Sequence, residues 1–150
     1  LHRGLDSTLN VVWNELKYDI EVVKEFQPLP PVLCNKGKMG QVFVNLLMNS
    51  RQAMFETQSG KITLRTYVQD ERVFMEFADN GPGIKKELLG KVMDPFFTTK
   101  EVGKGTGLGL SIVHRIILDH EGHIQIQSEE GYGTKITIDL PMAPMKTEGD

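Results

Sequence analysis

Three clusters in this 150-residue chain join ligand-binding residue types to a spacing that would bring them together. In "QVFVNLLMNSRQAM", Gln41, Asn45, Asn49 and Gln52 stand four, four and three apart, so a helix would align them as a polar stripe beside an apolar one. Two asparagine carbonyls a turn apart can serve a hard cation such as Mg2+, which keeps some of its waters and also takes substrate phosphates. The alternative for such a stripe is an ordinary solvated helix face. In "DNGPGI", residues 79–84, Asp79 can accept a hydrogen bond from an amine donor, Gly81 and Gly83 leave the backbone open to a flat ligand, and Ile84 gives an apolar wall. The same string is also good turn chemistry. In "EVGKGTGLGLSIVHRII", residues 101–117, Gly103, Gly105, Gly107 and Gly109 occupy every second position and lead into an apolar, helix-like run.

Glycine costs backbone entropy in any ordered element, so this last cluster needs a compensating reason. A glycine-rich backbone entering a helix N-terminus turns unsatisfied N–H groups and the positive end of the dipole toward anions, an arrangement suited to phosphate. Lys100 and Lys104 flank it and can screen phosphate charge. A mobile linker is the competing reading. Neither G-x-x-x-x-G-K-[ST] nor G-x-G-x-x-G occurs in the chain, so this is not a Walker A loop or a dinucleotide fingerprint. Between the clusters, "DPFFTTK" (94–100) sets two phenylalanines in a loop, where they are expected to pin the glycine-rich segment to the core.

The elements that must position these groups follow from periodicity. Leu5, Leu9, Val12 and Leu16 predict a first helix, with Asp6 or Ser7 as its cap. "YDIEVVKEF" reads as a strand stopped by "QPLPPV". Met39, Val42, Phe43, Leu46, Leu47 and Met54 predict an amphipathic helix over 38–55. "KITLRTYV" and "RVFMEFAD" alternate as two strands joined near Gln69, Asp70 and Glu71, and "KKELLGKVM" is a short helical stretch. A helix over 110–120 and the strands "HIQIQS" and "TKITIDL", joined by "EEGYG", complete the order; the tail 142–150 is polar and expected to fray. That order predicts an α/β fold, a two-layer sandwich with helices on one face of a mixed, mostly antiparallel sheet.

With 39% hydrophobic residues, the chain has enough apolar surface for one core. A net charge of -3 gives no general attraction to nucleic acid or to an anionic membrane. Cys34 is the sole cysteine, so no internal disulfide forms; a reducing compartment and a small buried hydrophobe are the expectations. No run approaches the ~18 apolar residues of a membrane span. The first residue is Leu1 rather than Met, which reads as a piece of something larger, and a cytoplasmic location is expected.

In order and spacing, these motifs resemble the ATP-binding catalytic domain of sensor histidine kinases, of the superfamily shared with gyrase, Hsp90 and MutL. "NLLMNSRQA" is similar to that family's asparagine box, "DNGPGI" and "GKGTGLGL" to its two glycine-rich boxes, and "DPFFTTK" to its phenylalanine box. "GYGTKITIDLP" resembles its closing strand pair, and the similarity spans roughly residues 17–141. The resemblance implies a Bergerat-type sandwich binding ATP and Mg2+. It gives Asn49 the Mg2+, with Asn45 lining the same site. Asp79 would receive the adenine amino group, supported by Thr134, with Gly81, Gly83 and Ile84 beneath the base. The backbone at Gly105, Thr106, Gly107, Leu108, Gly109 and Leu110 would wrap the phosphates, under a short lid from about Lys100 to Gly105 that includes Lys104.

One position bears on the reaction. Hydrolysing relatives carry a water-activating glutamate one turn before the magnesium asparagine, and here Asn45 stands there; an amide accepts no proton near neutral pH. The resemblance therefore implies transfer of the γ-phosphoryl group to a histidine on a dimeric helical hairpin of the same protein, then to a response-regulator aspartate. Residues 1–16 would be the end of that hairpin and its linker, and 142–150 a disordered tail. The acceptor motif itself is not found: His2 is followed by Arg3, and no proline is near. The fragment by itself is expected to be monomeric. A hydrolase of the same superfamily and a degenerate nucleotide-sensing module are the alternatives, the second favoured only by Gln52 at a position where relatives carry a phosphate-touching Lys or Arg. Ser50 departs mildly from the usual alanine. "HEGH" (120–123) could pair two histidines on a metal, but it straddles a helix C-terminus, where histidine is favoured on dipole grounds.

Overall fold

The computed structural model describes residues 2–7, 20–30, 32–53, 60–88 and 109–142, with the side chains at 20, 51–53 and 88 left out of that description. Residues 2–7 are helical (α1). They are followed by β1 (Ile20–Phe26), α2 (Lys36–Ala53), β2 (Gly60–Gln69), β3 (Arg72–Asp79), a 3₁₀ turn (Lys86–Leu88), α3 (Gly109–Asp119), β4 (His123–Glu129) and β5 (Gly133–Pro141).

The strands form one sheet in the order β1-β2-β3-β5-β4. β1 and β2 run parallel and every other pair is antiparallel, so the sheet is mixed and mostly antiparallel. A parallel pair needs a long crossover, which the 18-residue α2 supplies. The β2–β3 hairpin turns on Asp70 and Glu71, both at positive φ (53° and 61°), a two-residue turn matching the strand twist without any glycine.

Helices cover one face. Met39, Val42, Phe43, Leu46 and Leu47 of α2 pack with Val113, Ile116 and Ile117 of α3 onto Ile62, Leu64, Met75, Phe77, Ile136, Ile138 and Leu140 of the sheet. Leu5 of α1 joins this core at 1% exposure, and the preceding Gly4 comes close to the Phe43 ring, 3.0 Å from where a Cβ would stand. The opposite face is polar: Glu76, only 6% exposed, takes hydrogen bonds from Arg65 (3.1 Å) and Tyr67 (2.7 Å), and this burial beside a carboxylate pushes the Tyr67 phenol up to about 12.

Several element ends differ from the periodicity. The first helix is already formed at His2, and Asp6 does not cap it but pairs with Lys24 at 2.6 Å. α2 starts at Lys36 because Asn35 is its cap, the Asn35 Oδ1 accepting from the Lys38 N–H at 2.9 Å. α3 closes with Glu121 in the left-handed region (φ 58°), and the Gly122 N–H returns to the Ile117 carbonyl at 2.9 Å. Gly122 is required by proximity, since a Cβ there would lie 2.4 Å from the Asp139 carbonyl oxygen. Of the helical stretch expected over 85–93, the described residues show the 3₁₀ turn.

Candidate functional site

The buried stripe of α2 runs Met39, Val42, Phe43, Leu46, Leu47 and then Ser50, advancing by a turn at a time with adjacent pairs at 42–43 and 46–47. Asn45 and Asn49 therefore fall on its flank, both half-buried, while Gln41 is exposed. Ser50 breaks the apolar sequence of the stripe for a reason: at 7% exposure, its hydroxyl donates to Asp79 Oδ2 at 3.2 Å. The helix that carries the two asparagines is thereby tied to the acidic residue at the end of β3. Two amide carbonyls at a partly open edge form a hard, neutral donor set, which fits a divalent cation that brings waters and an anionic ligand of its own.

Asp79 sits where three strands meet in register. It is the partner of Ile62 on β2 and of Thr134 on β5, and Thr134 in turn pairs with Ser128 on β4. All of these side chains point to the helix-covered face, in one row at the end of the sheet. Burial pushes the Asp79 carboxyl above its ordinary value of 3.8; hydrogen bonds from the backbone of Gly81, the Ser50 hydroxyl and the backbone of Thr134 work against that rise. Each carboxylate oxygen has more than one lone pair, so a further amine donor can still be accepted.

Beyond Asp79 the loop is held from behind. The Gly81 N–H donates to Asp79 Oδ1 at 3.0 Å and the Gly131 N–H to the Pro82 carbonyl at 2.8 Å. The Ile84 N–H donates to Ser128 Oγ at 2.7 Å. Asn80 Oδ1 accepts from the Lys61 N–H at 2.7 Å. Gly83 has φ 75°, and a Cβ there would lie 2.2 Å from the Glu129 carbonyl oxygen. The close approach that demands glycine at this position is thus to the β4–β5 hairpin. Gly133 is confined in the same way: its φ is 126°, and a Cβ would meet the Asp79 carbonyl oxygen at 2.0 Å.

The structure therefore brings Asp79, Gly81, Gly83, Ile84 and Thr134 together, with α2 and its asparagines linked through Ser50. Gly109 opens α3, and Leu110 packs against the core. Lys100, Lys104, Gly105, Thr106, Gly107 and Leu108 lie outside the described residues, as do the two phenylalanines of "DPFFTTK" and the side chains of Arg51 and Gln52. Sequence reasoning missed Ser128, which looks like any polar residue of an alternating strand; only the register row reveals it.

His120 and His123 have other work than a shared metal. His120 Nδ1–H donates to the Ile116 carbonyl at 2.7 Å, and its Nε2 accepts from the Asn35 N–H at 3.1 Å, joining the end of α3 to the cap of α2. His123 Nδ1 lies 2.9 Å from Asp139, which also binds Arg72 at 2.6 Å. Among the described residues, no group of three or more His, Cys, Asp or Glu side chains could hold a metal ion, and no helix is long and apolar enough to cross a membrane.

Residues 34–144 match the family described as histidine kinase-, DNA gyrase B-, and HSP90-like ATPase. Over 139 residues the chain is 45% identical to sensor kinase CckA of Brucella abortus (strain 2308), a match covering 82% of this chain and 14% of CckA. The mycobacterial sensor histidine kinase MprB has a similar solved structure, with a TM-score of 0.84 at 28% identity over 96% of this chain and 97% of that one. Full-length ShkA in complex with AMPPNP gives 0.82 at 26% identity, over 96% of this chain and 30% of its own. The chain thus spans a small part of the length of CckA.

Proposed function

This chain belongs to the family of histidine kinase-, DNA gyrase B- and HSP90-like ATPases and is an ATP-binding catalytic domain of the sensor histidine kinase type; from that premise we propose that it positions ATP and Mg2+ for phosphoryl transfer to a histidine. The observation that carries the site is the desolvated Asp79 carboxylate, tied to the asparagine helix through Ser50 and to the glycine loop through Gly81. Asp79 takes the adenine amino group, with Thr134 beside it and Gly81, Gly83 and Ile84 along the base. Asn49, with Asn45, holds Mg2+ by its side-chain carbonyl. Lys100, Lys104 and the backbone from Gly105 to Leu110 take the phosphates.

ATP supplies the phosphoryl group, and Mg2+ offsets its charge. For such a transfer the chain has to position and stabilise rather than perform covalent chemistry. Asn45 favours transfer over hydrolysis, since its amide cannot take the proton of an attacking water. The acceptor in this reading is a histidine on a helical hairpin of the same full-length protein, which then serves a response-regulator receiver domain. Residues 1–16 join that hairpin to the catalytic domain at 17–141, with 142–150 as a tail, and the domain works in the cytoplasm. AMPPNP in the ShkA complex supports the choice of nucleotide.

Calorimetric titration with a non-hydrolysable ATP analogue, with and without Mg2+, tests the site. Binding is expected to depend on Mg2+, and Asn49→Ala to abolish that dependence. A folded chain that binds no analogue at millimolar concentration sinks the reading. With ATP itself, phosphate should move to an added histidine hairpin and should not be released in its absence; free phosphate release by the chain alone would favour a hydrolase.

A further inference from the structure

Among the described residues, Ser128 Oγ has three polar neighbours: the Ile84 N–H at 2.7 Å, the Gly133 carbonyl at 2.9 Å and Thr134 Oγ1 at 2.9 Å. A serine hydroxyl has one proton and two lone pairs. The Gly133 carbonyl can only accept, so the Ser128 proton goes there. The Ile84 amide can only donate, so it takes one lone pair. What remains for Thr134 is the second lone pair of Ser128, and Thr134 must therefore donate its own proton to Ser128. The Thr134 hydroxyl is left with lone pairs alone for anything else it meets.

Thr134 is the register partner of Asp79, on the same face of the sheet. Asp79 is an acceptor when ionised, and Thr134, by this count, is an acceptor as well. We infer that Ser128 is a positioning residue that sets the polarity of base recognition: by fixing the Thr134 hydroxyl as an acceptor, it makes this corner of the site take a 6-amino purine and refuse a 6-oxo purine. A purine carbonyl brought here would face two acceptors and no donor, and an unpaired polar contact of this kind discriminates more strongly than a missing attraction. Ser128 touches no ligand itself. It acts through Thr134 and, by holding the Ile84 N–H, through the loop that carries Gly81 and Gly83. The inference rests on the adenine reading of Asp79 given above.

The experiment compares the Kd of ATP with that of inosine triphosphate, whose base differs by a 6-oxo group, for the wild-type chain and for variants that retain a cooperative melt. Ser128→Ala frees the Thr134 proton to turn toward the ligand, and the preference for ATP is expected to narrow about three- to tenfold. Ser128→Thr, which keeps the hydroxyl, should restore it. Thr134→Val should narrow the preference to a similar degree, and the double variant should narrow it no further than either single one; this arm decides the matter if Ser128→Ala does not fold. A lowered melting temperature with an unchanged ATP to inosine triphosphate ratio in Ser128→Ala, or an unchanged ratio in Thr134→Val, overturns the inference and leaves the nucleotide site standing. Failure of the wild-type chain to bind ATP at all removes both.

Discussion

The chemistry at Asp79 depends on its being ionised in a place that disfavours charge. Burial raises its pKa above 3.8, which means that the folded chain holds the Asp79 proton more tightly than the unfolded chain does. The cost of ionising it is fully present above the folded pKa and is relieved as pH falls toward 3.8, so Asp79 opposes stability at neutral pH while serving recognition there. Two outcomes follow at this scale. ATP affinity should decline on acidification at a higher pH than an ordinary carboxylate would give, as read by calorimetry across a pH series. Asp79→Asn should weaken ATP binding by roughly tenfold or more, the scale of a charge-assisted hydrogen bond, without lowering the melting temperature at pH 7 by the cost usual for a buried polar change. A variant that melts much lower yet binds ATP normally would show the carboxylate to be structural.

At the scale of elements, the site is the meeting of a hairpin, a loop and a helix, and glycines set how closely they meet. Gly133 has the Asp79 carbonyl where its side chain would be, so Gly133→Ala has to displace β3 from β5 next to the acidic residue. Its strained φ adds a cost on the order of 1–3 kcal/mol, and the variant should lose both ATP affinity and thermal stability. Asn35 gives the contrasting case. Asn35→Ala removes the cap of α2 at the end far from Asn49 and should cost about 1 kcal/mol in a chemical melt. The ATP Kd should stay within about twofold if the helix remains seated on the core, since lost caps act on the first turn. A large affinity loss in this variant would mean that the whole of α2, and not only its Ser50 end, moves with the site.

Across the whole molecule, one core underlies the described part of the site, and it draws on residues from both ends of the described chain. Leu5 is buried in that core, His2 stacks on Phe26 with ring centroids 4.4 Å apart, and the His2 imidazole reaches Thr66 at 2.8 Å. Burial lowers the His2 pKa, and the Asp6 carboxylate opposes that shift. Residues 2–7 belong to the segment expected from sequence as the end of the hairpin and its linker, and through Leu5 they share the core of the sheet and helices. Leu5→Ala should therefore destabilise the chain by about 2–5 kcal/mol, the range for emptying a buried leucine position, measured by denaturant unfolding. If the loss is below about 0.5 kcal/mol, α1 is a surface attachment and not part of the core.

The residue types and their order determined much of this protein by themselves. Asparagines four apart on an apolar helix, "DNGPGI" after a strand, and alternating strands at both ends carry their own periodicity, because helix and strand geometry acts over a few residues of sequence. The family and the two-layer architecture were legible from these patterns and their order along the chain. Tertiary structure alone decided what lies beside what across the sheet. Ser50, by sequence a mild departure, is the link between α2 and Asp79, and His120 joins two helix ends from positions 85 residues apart. Gly83 serves a neighbouring hairpin, and Ser128 gains its place only because β4 and β5 align it with Thr134 in the row that ends the sheet. A hydrogen bond between strands depends on register, and register is fixed by the packing of the whole buried face, which no local pattern contains.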